Sequence, residues 1–126
     1  TFPILNDLIV ILTSNSQRSL LDETKDRCLF LYISYPSVER EISIVKSRLP
    51  NAEDGLIKKV VNLIHRIRKF NLTKKPSVRA SIDWTNSVMM LDKNHENVEE
   101  SLEKSLGVAI KTEADKAKVK KEIFKK

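Results

Sequence analysis

The segment Asn6–Pro36, NDLIVILTSNSQRSLLDETKDRCLFLYISYP, contains two apolar runs separated by polar residues, and it decides the expected fold. Leu8–Leu12 is the first run and Leu29–Ile33 is the second. Continuous apolar runs of this length are typical of strands covered on both faces of a parallel sheet. Between them, Leu20–Arg27 has acidic residues early and basic residues late, as a short helix prefers. The segment therefore predicts a strand, a short helix and a second strand, which Pro36 ends.

The rest of the chain has the periodicity of amphipathic helices. Apolar residues recur every three or four positions, which is the spacing of one helix face. Residues that favour helix N-caps precede these stripes, at Ser37, Ser77, Asn97 and Thr112. The pattern predicts a mainly α chain of two strands and about five helices, with most of its apolar surface in a helical bundle.

Individual side chains can be assigned from the same pattern. We expect Trp84 and the pair Met89–Met90 to lie in the core, and His65 and His95 to lie on the surface. No Cys, His or carboxylate grouping has the spacing of a metal site or a catalytic pair. The single cysteine, Cys28, excludes an internal disulfide and fits a reducing compartment. The apolar runs are far too short to span a bilayer, so no membrane association is expected.

The net charge of +6 is distributed unevenly along the chain. Ile57–Ala80 contains eight Lys or Arg residues and no acid, and Lys111–Lys126 contains seven Lys against three acids. Asp92–Glu103, between them, is mainly acidic. Basic blocks of this kind can face nucleic acid, phosphate groups or an acidic partner. For the C-terminal block, an ordinary solvated helix face is the simpler interpretation.

Four stretches, taken in order, resemble the distal part of MoxR-type AAA+ ATPases. They are VILTSN (residues 10–15), LLDETKDRCLFLYISYP (residues 20–36), an amphipathic helix, and KPSVRASIDW (residues 75–84). By this resemblance, residues 1–36 are the end of the α/β core and residues 37–126 are the C-terminal helical lid. The resemblance also implies that Asn15 is sensor 1, that Arg27 is the arginine finger, and that Arg79 is the second sensor in the lid.

The resemblance also implies cofactors and partners. The chain has only two glycines, and neither lies in a G-x-x-x-x-G-K-[ST] phosphate loop. ATP and Mg²⁺ would therefore be held mainly by an amino-terminal half of the parent protein, and this chain alone would bind neither tightly and hydrolyse nothing. The expected parent is a cytoplasmic, chaperone-like ring ATPase, usually hexameric, which often works with a protein that contains a von Willebrand factor A domain.

The chemistry of the three residues is compatible with these roles. Phosphoryl transfer requires a positioned water and positive charge near the developing phosphate oxygens. An Asn at a strand end can orient that water, and the planar fork of an Arg matches phosphate oxygens. Arg79 stands in the first turn of a predicted helix, where a cation opposes the helix dipole, so a distant anion would favour it. Simpler interpretations are a loop cap for Asn15, an ion pair with a nearby acid for Arg27, and solvent exposure for Arg79.

Two other functions remain open. The chain could be a basic helical module without enzymatic activity that binds nucleic acid through Ile57–Ala80. Phe70 is the only aromatic residue in that block, so stacking on single strands is not favoured. The chain could instead be a helical adaptor that docks a protein through the acidic segment Asp92–Glu103.

Overall fold

The computed structural model describes residues 7–14, 22–94 and 96–124 of the chain. The chain divides into two compact units, Thr1–Ile33 and Ser34–Lys126. Asn15 and His95 lie outside the described residues. The sensor role of Asn15 and the surface position of His95 therefore stay predictions.

The described part of Thr1–Ile33 has one regular element, helix α1 (Asp22–Asp26), which lies inside the helix predicted from the sequence and has no buried residue. The two predicted strands are not formed in the described residues. The side chains of Leu8–Leu12 are 62% to 84% exposed, and those of Leu29–Ile33 are 63% to 101% exposed. Strands are stable only when hydrogen-bonded to neighbours, and a lone pair of short strands is marginal in water.

The unit Ser34–Lys126 is a bundle of helices, as the sequence predicts. Its described residues contain α2 (Val38–Arg48), α3 (Asp54–Arg68), α4 (Val78–Leu91), α5 (Val98–Lys104), α6 (Leu106–Ala109) and α7 (Glu113–Ile123). The predicted helix that begins after Asn97 is interrupted at Ser105, which gives the two short helices α5 and α6. The hydroxyl of Ser105 donates to the carbonyl of Ser101 at 2.6 Å and accepts from the indole Nε1 of Trp84 at 2.9 Å. This side chain therefore fixes the bend against α4.

The predicted N-caps are confirmed. Each capping side chain accepts a hydrogen bond from the backbone N–H three residues later, at 3.1 to 3.4 Å, in the pairs Ser37 with Arg40, Ser77 with Ala80, Asn97 with Glu100 and Thr112 with Asp115. A cap of this kind contributes about 1 kcal/mol. Four helices of the bundle thus begin where local hydrogen bonding places them.

The core lies on both sides of α3. The larger cluster contains the fully buried Trp84, together with Ile64 and Ile67 from α3 and residues of α4 to α7. The smaller cluster joins Ile57 and Val61 on another face of α3 to residues of α2 and its C-terminal loop. Each fully buried Leu, Ile or Val contributes about 1.5–3 kcal/mol, so these stripes stabilise the bundle. Trp84 is 0% exposed, so the prediction that it is buried is confirmed.

The methionine pair at the end of α4 is only partly in the core. Met89 packs against the smaller cluster, whereas Met90 is 66% exposed. The prediction that both methionines are core residues is therefore wrong for Met90. Consecutive helical residues point about 100° apart, so a stripe that buries one of them leaves its neighbour at the edge.

Candidate functional site

Of the three residues assigned from the resemblance, two can be located. Arg27 follows α1 and is exposed, and its backbone N–H donates to the carbonyl of Thr24 at 3.3 Å. Among the described residues no carboxylate pairs with its guanidinium. Arg79 lies in the first turn of α4, and its side chain is 87% exposed. Arg27 and Arg79 belong to different compact units.

The local partner of Arg79 is weak. Its Nε lies 3.7 Å from Oδ2 of Asp83, one turn further along α4. Exposed pairs of this kind contribute between about 0 and 1 kcal/mol, because water and salt screen the charges. The side chain of Asp83 is 52% exposed. The guanidinium of Arg79 is therefore free to exchange this partner for a stronger anion.

Arg79 lies at the edge of a cavity of about 280 Å³ at the start of α4, which we call the basic cleft. Of the described residues that line it, only Asp83 carries a carboxylate. Four cationic side chains line it as well: Lys74, Lys75, Arg79 and Lys111. No acidic residue stands in the first turn of α4 to oppose them. The cleft therefore combines a positive helix end with several exposed cations, which is an environment that favours anions.

The cleft is assembled from the two basic blocks of the sequence. Its first two lysines come from the connection between α3 and α4, and Lys111 comes from the connection between α6 and α7. Helix α7 packs beside the first connection, where Nζ of Lys118 donates to the carbonyl of Asn71 at 2.9 Å. Lys111 of the C-terminal block therefore lines the cleft, whereas Lys118, Lys120 and Lys121 on α7 are exposed, as the simpler interpretation of a solvated helix face predicts.

A buried carboxylate holds the lysine-bearing connection in place. Asp115, on α7, accepts the backbone N–H of Thr73 at Oδ1 (3.0 Å) and that of Lys74 at Oδ2 (3.2 Å). The hydrogen bond from the Thr73 backbone, with those from Lys74 and Thr112, lowers the pKa of Asp115 even though burial opposes this. The carboxylate therefore stays ionised and fixes the backbone that carries the lysines.

A second charged group, the buried charge cluster, lies inside the bundle. Glu41 on α2 is fully buried, and Arg68 at the end of α3 is 7% exposed. Nη1 of Arg68 donates to Oε2 of Glu41 at 2.7 Å, and Nη2 donates to Oε1 at 2.8 Å. The third donor, Nε, reaches the carbonyl of Pro76 at 2.8 Å. The fork-to-fork geometry is the strongest arrangement that an Arg and a carboxylate can make.

Three more side chains complete the buried charge cluster. Ser81 on α4 donates to Oε1 of Glu41 at 2.5 Å, and Nε2 of His65 lies 2.7 Å from Oε2. The guanidinium carbon of Arg68 lies 4.2 Å from the ring centroid of Tyr35. Burial alone would raise the pKa of Glu41, but the hydrogen bonds from Arg68, Ser81 and His65 and the charge of Arg68 outweigh it and leave that pKa lowered.

No sequence pattern predicts that these residues form a cluster. The sequence predicts His65 on the surface, yet its side chain is only 22% exposed and contacts Glu41, so that prediction is only partly correct. Glu41 is charged and lies among other charged residues, so composition alone favours the polar face of α2 for it. A signal was nevertheless present, because Glu41 follows Val38 by three positions and precedes Val45 by four, within the apolar stripe. A charge in that position requires a buried partner.

The two sites differ in what they can do chemically. In the buried charge cluster the carboxylate of Glu41 and the guanidinium of Arg68 are buried and paired with each other, so the role of the cluster is to hold the bundle together. The basic cleft is open and can bind an anion. In the part of the chain that the structure describes, no three His, Cys, Asp or Glu side chains are grouped as a metal site requires, and no helix is long and apolar enough to cross a bilayer.

Comparison with known proteins does not assign a function to either site. No protein-family model, curated protein or solved structure matches this chain.

Proposed function

We propose that the chain is the distal part of a MoxR-type AAA+ ATPase and contributes Asn15, Arg27 and Arg79 to ATP binding and hydrolysis. In this proposal, residues 37–126 are the helical lid over the nucleotide. Residues 1–36 supply the last strands of the α/β core, with sensor Asn15 after the first strand and the arginine finger Arg27 before the second. The chain acts only as part of the complete ATPase.

The observation that carries the proposal is the exposure of Arg79 at the edge of the basic cleft. The second sensor of such a lid must present a cation to the phosphates from the first turn of a helix. Arg79 has an exposed guanidinium in the first turn of α4, which fits such a role, and Lys74, Lys75 and Lys111 raise the positive charge around it. Transfer of a phosphoryl group depends chiefly on positioning and on stabilising negative charge, which this cleft is suited to supply.

The exposed apolar runs fit the same proposal. Leu8–Leu12 and Leu29–Ile33 are apolar on successive residues, so a single buried face cannot accommodate them. A strand inside a parallel sheet is buried on both faces and uses such a run. The remaining strands of the nucleotide-binding core would hydrogen-bond these segments and cover their side chains.

The proposal also assigns cofactors and partners. The amino-terminal half of the parent would contain the phosphate loop and hold ATP with Mg²⁺. Arg27 would reach the nucleotide of a neighbouring subunit in a ring, usually hexameric. The parent would be a cytoplasmic, chaperone-like protein, with a von Willebrand factor A-domain protein as its expected partner.

The test uses the complete ATPase, encoded by the reading frame that includes the segment upstream of Thr1. Arg27→Ala and Arg79→Ala are compared with Lys58→Ala, which removes an exposed cation from α3. Loss of an arginine finger lowers turnover about 10³-fold or more. We expect such a loss for Arg27→Ala, a marked loss for Arg79→Ala, and wild-type turnover for Lys58→Ala, with unchanged circular dichroism in all three. Unchanged turnover in both arginine variants, or an upstream frame without a phosphate loop, contradicts the proposal.

A second candidate is a non-enzymatic module that binds nucleic acid through the basic cleft. The convergence of the two basic blocks favours it, since Lys74 and Lys111 come from different blocks. Contacts to duplex DNA through the four cations would make the logarithm of the affinity fall with that of the salt concentration, with a slope near −3.6, from about −0.9 per contact. The ATPase proposal predicts no tight, salt-sensitive binding of this kind, so a salt titration separates the two candidates.

A further inference from the structure

The guanidinium group of Arg68 contacts both hydrogen-bond acceptors and an aromatic ring. Its three nitrogens donate to Glu41 and to the carbonyl of Pro76, at distances of 2.7 to 2.8 Å. Its central carbon lies over the ring of Tyr35, 4.2 Å from the ring centroid. Because the group is planar and rigid, it cannot rotate to follow one partner without disturbing the others. A movement of any one of these partners therefore changes the contacts of Arg68 with the others.

These contacts join two places that are distant in the sequence. Tyr35 precedes Pro36 and α2, whereas Pro76 precedes Ser77, the N-cap of α4. In the first turn of α4, the hydroxyl of Ser81 donates to Oε1 of Glu41 at 2.5 Å. The turn that carries Arg79 is thus anchored on both sides by groups bonded to the same ion pair.

We propose that Arg68 is a positioning residue that couples the Tyr35–Pro36 corner to the first turn of α4, so that a change at Tyr35 is transmitted to Ser77 and Arg79. Tyr35 is 48% exposed, so a partner or a neighbouring segment can reach its ring, while Arg68 itself is buried. The coupling sets the geometry of the basic cleft. It is independent of whether the cleft binds a nucleotide or another anion.

The test follows the ¹⁵N-labelled full chain by NMR in three variants. Tyr35→Leu removes the aromatic face, Tyr35→Phe retains it, and Tyr32→Leu makes the same change at an exposed Tyr three residues earlier. We expect Tyr35→Leu alone to shift the backbone amide signals of Ser77 and Arg79. The exchange rate of the Arg68 Nε proton should rise about two- to fivefold, as the loss of a cation–π contact implies.

A second background distinguishes coupling from a general structural effect. Arg68→Lys keeps the charge but cannot contact Glu41, Pro76 and Tyr35 together, so Tyr35→Leu should no longer shift Ser77 and Arg79 in that background. If the shifts persist there, or if Tyr35→Leu leaves Ser77 and Arg79 unchanged, the coupling is refuted. Equal shifts in Tyr35→Phe or Tyr32→Leu refute it as well. If Arg68→Lys does not fold, the three tyrosine variants decide the question by themselves.

Discussion

Replacing Glu41 with Gln tests whether the buried charge cluster stabilises the bundle. The amide keeps the size of the side chain and removes its charge, which leaves Arg68, 7% exposed, without an anion. Removing one partner of a buried ion pair costs about 3–5 kcal/mol. The amide oxygen still accepts one hydrogen bond from Arg68, so we expect the free energy of unfolding to fall by about 3 kcal/mol, the lower end of that range.

The matched control is Glu39→Gln. Glu39 lies on the same helix as Glu41 and is exposed, so this variant makes the same change in net charge without disturbing a buried partner. Exposed substitutions of this kind change stability by less than about 0.5 kcal/mol. The measurement is urea unfolding followed by circular dichroism and by the fluorescence of Trp84, and coincident curves justify the two-state analysis.

The pH dependence separates the charge of Glu41 from its packing. Burial alone would raise the pKa of Glu41, but its hydrogen bonds and the charge of Arg68 leave the folded-state pKa below the ordinary value of 4.5. A group of this kind contributes stability above its unfolded pKa and loses it as the pH falls through the folded pKa. The difference in the free energy of unfolding between wild type and Glu41→Gln should therefore be largest at neutral pH. It should shrink as the pH falls below the ordinary pKa of 4.5.

Two results would refute the reasoning on Glu41. One is a loss of stability in Glu41→Gln no larger than that in Glu39→Gln. The other is a difference from wild type that stays constant into the acidic range, because a packing effect does not depend on the ionisation of Glu41.

Three further predictions concern the basic cleft and the elements that hold it. Lys75→Gln should weaken the binding of inorganic tripolyphosphate to the full chain in calorimetry, whereas Lys58→Gln, on α3 and outside the cleft lining, should leave it unchanged; equal effects would place the anion elsewhere. Asp115→Asn should lower the midpoint of urea unfolding at neutral pH, and the difference should disappear in acid, because the lowered pKa of Asp115 contributes stability only where the carboxylate is ionised. Ser77→Ala should cost about 1 kcal/mol through loss of the N-cap of α4, as read from urea unfolding, whereas Ser47→Ala, on the exposed side of α2, should cost much less.

The sequence predicts the bundle well because helices are specified by local chemistry. A cap such as Ser37 or Ser77 acts on a backbone N–H three residues away, so its effect is visible in the sequence. The apolar stripe of α3 likewise repeats at the period of the helix itself. Each of these signals depends only on residues within one or two helical turns. The approximate bounds of the helices along the sequence follow from them.

The rule that predicts the two strands depends on neighbouring segments of the sheet. Leu8–Leu12 has the composition of a buried strand, yet a strand forms only when another segment completes its hydrogen bonds. The described residues of Thr1–Ile33 provide no such segment. Composition therefore indicates that these residues are suited to a buried strand. Whether the strand forms depends on a neighbouring segment that can hydrogen-bond to it.

The buried charge cluster was missed because its members are remote from one another in the sequence. Glu41 and Arg68 are separated by 27 residues, and Glu41 and Ser81 by 40. Neither His65 nor Arg68 stands out within a basic block. The charge within the apolar stripe of α2 was the available signal. It identifies Glu41 as a member of a buried ion pair but does not identify Arg68.

The basic cleft shows how a tertiary arrangement changes the meaning of a charged segment. Taken alone, the lysines of α7 and its preceding connection resemble a solvated helix face. In the fold, Asp115 and Lys118 of α7 bind the connection that carries Lys74, and Lys111 enters the same cleft. Like charges brought together in this way repel one another, which disfavours the free state. An anion in the cleft relieves that repulsion, so the arrangement that costs stability in the free chain is the one that favours a phosphate ligand.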